Sequence, residues 1–167
     1  MVLEWLTGFP DWAQGFVAAT GYLGIFLVSL IGSASIILPV PFIIVVFSAG
    51  AFLNPFLVGL SAGVGAAIGE MTGYGIGYGA QTLITKHKKW FNLAEGWFQK
   101  HGGFFVIFIF AVTPLPFDVV GLMSGAMKYP IKKFFIATLL GKIVANLVVA
   151  YAGFYSISWI LGIFQIE

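Results

Sequence analysis

Leu38-Pro39-Val40-Pro41-Phe42 and Thr113-Pro114-Leu115-Pro116-Phe117 interrupt two runs of apolar residues in the same way, each with two prolines one residue apart. The residue before a proline is biased away from the α conformation, so a helix stops or breaks at both places. Shifting the chain by 75 residues lays one stretch on the other. Pro39 falls on Pro114, Pro41 on Pro116, Phe42 on Phe117, Val45 on Val120, Gly50 on Gly125, Ala51 on Ala126 and Pro55 on Pro130. Seven of the 17 pairs between 39 and 55 are identical without a gap, all three prolines among them, which a shared apolar composition does not account for.

Working outward, residues 42–53 are apolar and end at Asn54-Pro55. As a helix they rise only about 18 Å, against a hydrocarbon core of about 30 Å. The runs 104–112 and 117–127 are likewise half-length, whereas 56–84 and 131–153 are long enough to cross. The pattern predicts an all-α integral membrane protein, with two re-entrant helical hairpins beside full-length transmembrane helices. A single crossing by 56–84 places the hairpins on opposite faces, so the repeats are inverted: repeat 1 over 29–84 with its hairpin at Pro39 and Pro41, repeat 2 over 104–153 with its hairpin at Pro114 and Pro116. Hairpins inside hydrocarbon must be buried in protein or line a wet cavity. Gly50 and Gly125 hold matching places in the two hairpins, and Thr113 is the expected cap of the half-helix behind Pro114.

The remainder completes one membrane domain over 1–167. Residues 1–14 mix Trp5, Phe9 and Trp12 with two acids and read as an interfacial segment, not a secretory leader. Residues 85–102 read as an amphipathic linker lying on the surface, and 154–167 as a C-terminal apolar segment of open placement. Seven lysines, in 85–102 and 128–133, fall on one face and none on the other. By the positive-inside rule that face is cytoplasmic, and the expected location is the plasma membrane of a prokaryote.

Composition excludes much else. The chain is 60% hydrophobic and 8% charged, where a soluble domain carries about 25% charged residues. It has no cysteine, so disulfides, thiolate nucleophiles and cysteine metal sites are out. A net charge of +2 is too small for nucleic-acid binding. All eight basic residues are lysines, so an anion would be held by lysine, backbone amides or helix ends, without a bidentate fork. No serine, histidine and acid constellation occurs in the membrane segments, so no catalysis, metal or cofactor is expected.

Three ionisable residues lie inside apolar segments: Glu70, Asp118 and Lys142. Each costs about 2.5–3.5 kcal/mol at the centre of an inserting helix, so each is a functional candidate by default. Glu70 falls near mid-bilayer and is a candidate for exchanging a proton while a substrate passes; the plainer reading is a protonated carboxyl bonded to a neighbouring helix. Asp118 follows the second proline pair, where capping and transport roles are equally open. Lys142 would neutralise an acid or hold a headgroup phosphate, the acid being preferred. Glycines four residues apart around Glu70 form the small-residue pattern of close helix packing, with Tyr74 and Tyr78 as optional contacts on the same face.

The stretch Gly69-Glu70-Met71-Thr72-Gly73-Tyr74-Gly75-Ile76-Gly77-Tyr78-Gly79, the His101-Gly102-Gly103 lead-in, Thr113-Pro114-Leu115-Pro116-Phe117, Ser124-Gly125-Ala126-Met127 and Lys133-Phe134 with Gly141-Lys142 together resemble the DedA family, the SNARE-associated Golgi protein or VTT-domain superfamily, and its TVP38-like branch. The resemblance covers about residues 30–153. It implies opposed re-entrant hairpins and members that move lipids between leaflets: polyprenyl-phosphate carriers in bacteria, some with proton dependence, and phospholipids in eukaryotes. The family's acidic position falls on Glu70. Arginines common around the second hairpin's first proline and after the GY turn are replaced here by Ala111, Phe117 and Tyr78, which puts an arginine-clamped phosphate site in doubt.

The expected function is therefore a lipid translocase, of scramblase or flippase type, for a polar-headgroup lipid such as a polyprenyl phosphate or phospholipid. Glu70, Asp118, Lys142, Tyr74 and Tyr78 form its candidate pathway. Membrane lipids and protons are the expected partners. The alternatives are a proton- or cation-coupled transporter of a small solute, and a non-transporting membrane scaffold.

Overall fold

A computed structural model describes residues 20–34, 42–81, 92, 95–96, 98, 100, 102–113 and 117–164, with side chains through Ser156. The described residues form helices without strands: α1 Tyr22–Ala34, α2 Phe42–Phe52, α3 Pro55–Gly69, α4 Met71–Gly79, α5 Gly103–Val112, α6 Phe117–Ala126 and α7 Ile131–Phe164. Pro39, Pro41, Pro114 and Pro116 lie outside the described residues, as do residues 1–14 and most of 85–102. Within that linker Asn92, Glu95, Gly96, Phe98 and Lys100 are helical.

Two helical stretches, Pro55–Gly79 and Ile131–Ser156, are long and apolar enough to cross a membrane; α1, α2, α5 and α6 are shorter apolar helices of 10–13 residues. The first long stretch is one span built of two helices, because the chain turns at Glu70 between α3 and α4. The Thr72 hydroxyl donates to the Gly69 carbonyl at 2.8 Å there, and the Tyr74 amide reaches the Glu70 carbonyl only at 3.4 Å. The second long stretch runs on past 153 to Phe164, so the backbone of 154–164 continues α7 and is not a separate segment. Gly153 alone does not end a helix, and no proline follows it. At the start of α3, Asn54 accepts from the amides of Phe56 and Leu57 while Pro55 takes the first helical position, where its missing amide costs nothing.

The two faces of α3 differ in residue size, not in polarity. On α3, Gly59, Ala62, Gly63 and Ala66 face inward, while Phe56, Leu57, Leu60 and Ile68 are exposed. Small residues inside let backbones approach, and large apolar ones outside are what a lipid-facing surface carries. A methyl group at Gly59 would come within 2.7 Å of the Leu147 Cα, and one at Gly63 within 2.6 Å of the Ile143 Cα, so α3 and α7 run antiparallel in backbone contact.

Two apolar clusters result. One gathers Ile25, Val46, Ala49, Val58, Ala62 and Ala150 around the Pro55 end of the first span. The other gathers Tyr74, Ile107, Phe117, Val120, Phe134 and Ala137 around its Gly79 end. The short pair α1–α2 belongs to the first cluster and α5–α6 to the second. In the first, α2 lies on α7, where methyl groups at Gly50 and Gly153 would strike the Ala150 and Phe47 carbonyls. In the second, α6 lies on α4, where methyl groups at Gly125 and Gly77 would strike the Tyr74 and Leu122 carbonyls.

Candidate functional site

Between the two clusters the first span carries Glu70 and the second carries Lys142, each in the middle part of its helix stretch. The turn at Glu70 leaves its side chain facing α7, and the Lys142 Nζ meets the Glu70 Oε1 at 2.6 Å. The side chains are 6% and 14% exposed, so this is a buried ion pair. Each charge is costly to bury alone, and their mutual attraction offsets that cost only while both remain. The Lys142 Nζ also lies 4.8 Å from the centre of the Phe117 ring, a cation–π contact that brings the first residue of α6 to the pair. Asp118, in the first turn of α6 and half-buried, is within electrostatic reach of Glu70.

Other helix ends converge on the same level. The Thr72 hydroxyl, two residues beyond Glu70, donates to the carbonyl of Ala34, the last residue of α1, at 3.1 Å. Gly141, one residue before Lys142, packs against Ala111 and the Phe108 carbonyl near the end of α5. α1 and α5 therefore end near the depth of the ion pair. Asn146, one turn beyond Lys142, is buried and donates to the Lys142 carbonyl at 2.8 Å, and Thr138, one turn before, is buried with no hydrogen-bond partner for its hydroxyl among the described residues. Thr138, Lys142 and Asn146 thus make a polar stripe on an apolar helix.

The sequence-predicted residues divide accordingly. Glu70 and Lys142 come together, and Asp118 is near enough to act on the charge of Glu70. Tyr74 and Tyr78 do not join them: Tyr74 is buried one turn further on and donates its hydroxyl to the Tyr129 carbonyl at 2.6 Å, while Tyr78 stacks on Tyr74 and lies beneath the Lys128 ammonium, 5.7 Å from its ring centre. Burial also pushes the Tyr129 phenol up, so it keeps its proton. Thr113 precedes residues 114–116, which lie outside the described ones, and so does the cap expected of it. Its hydroxyl donates to the Ile109 and Phe110 carbonyls at 3.0 and 3.3 Å, because the free carbonyls at the end of α5 are the nearest acceptors for an O–H donor. Gly50 and Gly125 are buried packing positions on helices α2 and α6. Phe117, Asn146 and Thr138 were missed by sequence reasoning; the four-residue spacing of Thr138, Lys142 and Asn146 is the signal that could have found the last two. Among the described residues no group of His, Cys, Asp and Glu is arranged to hold a metal.

Comparison with known proteins gives the family. The VTT domain model matches residues 40–155, which includes the whole ion-pair region. Vacuole membrane protein KMS2 of Arabidopsis thaliana is 42% identical over 55 residues, a stretch covering 30% of this chain and 13% of that protein. No solved structure matches the chain significantly. A match over most of the length, on an all-helical molecule with two apolar spans, makes this chain a member of the VTT-domain family, the DedA or SNARE-associated Golgi family of membrane proteins.

Proposed function

We propose that this chain moves a polar-headgroup lipid between leaflets, through a chamber where two re-entrant helical pairs meet from opposite membrane faces. The observation that carries the reading is the buried Glu70–Lys142 ion pair at the depth where α1 ends and α6 begins. An ion pair in apolar surroundings is expensive to maintain and marks a pathway by default. The inverted arrangement is supported by contacts that the 75-residue shift interchanges. Gly50 against Ala150 maps within one residue onto Gly125 against Tyr74, and Phe47 against Gly153 within one residue onto Leu122 against Gly77. Each half thus lends its short helix to the other half's long one. Interrupted helices in matching halves, enclosing a polar site near the midplane, are the usual build of a transport site.

On this reading the headgroup enters the chamber while its chains stay in the bilayer along the exposed apolar faces. Protonation of Glu70 releases Lys142, which is then free to meet a phosphate-bearing headgroup, and Asp118 offers a second acid at the mouth of α6. The lysine-rich end faces the cytoplasm. The test is leaflet exchange of a fluorescent phospholipid in reconstituted vesicles. Exchange that is lost in Glu70→Gln or Asp118→Asn, with the variants still folded, supports the translocase; equal exchange in all three sinks it.

One observation favours a second reading. Glu70, Asp118 and Lys142 are two acids and one base, and Lys142 pairs with Glu70, so among the described residues no base is ion-paired to Asp118, which a proton or small cation could meet. A proton- or cation-coupled transporter of a small solute would show solute-driven proton flux and no lipid exchange in the same vesicles.

A further inference from the structure

The turn between α6 and α7 contains a residue in the wrong conformation for its type. Lys128 has φ of 53°, the one positive value among the described non-glycine residues. The Lys128 amide donates to the Gly125 carbonyl and the Tyr129 amide to the Ser124 carbonyl, both at 2.9 Å, so Lys128 holds the left-handed position of a Schellman ending. Glycine is the usual residue there because a Cβ is strained. At the matching place in the other half, Leu53 closes α2 without a positive φ. A strained residue persists where its surroundings hold it, and such places concentrate at ligand clamps.

What the strained lysine does is visible beside it. Its ammonium stands over the ring of Tyr78, which is 53% exposed, and no carboxylate among the described residues pairs with it. Lys132 and Lys133, exposed in the first turn of α7, add two more cations without acid partners among the described residues. Directly below Lys132, Ile136 and Leu140 follow at one-turn spacing and are exposed. Cations at the end of a membrane-crossing helix, with an aromatic face beside them and an aliphatic strip beneath, match the shape of an anionic amphiphile.

We propose that Lys128, set over Tyr78 and backed by Lys132 and Lys133, is a seat for the phosphate of an anionic phospholipid, with a chain of that lipid along Ile136 and Leu140. The seat lies outside the Glu70–Lys142 chamber. The proposal rests on the reading that this end of the molecule meets a membrane surface, but not on leaflet exchange. A phosphate competes with the Tyr78 ring for the same ammonium, and lysines near an anionic surface contribute separately to its attraction.

The test uses the full chain in detergent with phosphatidylglycerol or phosphatidylcholine added, lipid retention being counted by native mass spectrometry and stability by thermal unfolding. Wild type should retain phosphatidylglycerol over phosphatidylcholine. Lys128→Gly should unfold about 2–4 °C higher, because the strain is relieved, and should retain about fivefold less phosphatidylglycerol. Lys128→Gln, which keeps the strain and removes the charge, should show the same loss of retention without the gain in stability. Millimolar inorganic phosphate should not displace the lipid. Unchanged retention in both variants overturns the proposal, as does a Lys128→Gly protein that is less stable than wild type. Displacement by inorganic phosphate overturns the lipid in favour of a free anion. None of these readouts depends on leaflet exchange, so the translocase reading stands or falls separately.

Discussion

At one end of the molecule α2 crosses α7, at the other α6 crosses α4, and both crossings are made by glycines set against facing carbonyls. The side chains around these two crossings differ completely. At the lysine-rich end Tyr74 is tied to the Tyr129 carbonyl and Lys128 sits over Tyr78. The residues 75 positions away, Val149, Asn54, Leu53 and Gly153, offer no such tie; Leu53 and Val149 pack against the apolar cluster instead. The same backbone contact is thus clasped by polar bonds at one end and flanked by apolar packing of Leu53 and Val149 at the other. On the proposed translocase reading, this difference predicts that the lysine-rich end is the tighter one at rest.

The largest effect should come from what lies between the ends. Lys142→Met leaves Glu70 as a buried, unpaired charge and should destabilise the protein by about 3–5 kcal/mol. Adding Glu70→Gln to it should restore most of that loss, as read by unfolding in mixed micelles, although lipid exchange stays absent. If the double variant is no better than the single one, the pair is not the balance point between the two ends.

Next come the crossings. Gly50→Ala and Gly125→Ala each drive a methyl group into backbone and should each cost about 1–3 kcal/mol, by similar amounts. A loss confined to one of them breaks the likeness of the ends. Tyr74→Phe removes a single hydrogen bond, worth about 0.5–1.5 kcal/mol, and only at the lysine-rich end. In this cysteine-free chain it should speed the labelling of a cysteine placed at buried Ser124 and leave one at buried Ala49, its counterpart, unchanged. Equal acceleration at both positions would show that the clasp is not local. The smallest effect belongs to Gly75→Ala, which gives α4 the residue that α7 carries at Ala150. Nothing lies near a methyl group there, so helix propensity alone should add about 0.5–1 kcal/mol of stability.

How much of this was legible in the sequence follows from which forces leave a trace in it. The two spans are read from length and hydropathy, and the half-length helices flanking 35–41 and 114–116 from the prolines that limit them. Glu70 and Lys142 stand out because each is a charge in an apolar run. Their pairing is less clear from sequence, where an acid is the preferred partner of Lys142 but Asp118 stands beside Glu70 as a choice; the contact of α3 with α7 at Gly59 and Gly63 favours Glu70. Periodicity fails here for a physical reason: Leu57 and Leu60 face outward and Val58 inward on α3, yet all three are equally apolar. Only residue size separates the faces, which is why the glycine ladder was informative and the hydrophobic pattern was not. The destination of the Thr113 hydroxyl, the turn at Glu70 and the left-handed Lys128 depend on local backbone geometry that residue type does not specify.

The central claim is that two short helical pairs enter from opposite faces and meet at Glu70 and Lys142. Single cysteines at positions 54 and 128, labelled by a membrane-impermeant maleimide from one side of oriented vesicles, test it most directly. The account predicts that each is reached from one side only and that the two sides are opposite. Labelling of both from the same side would contradict it, whatever the lipid-exchange assay reports.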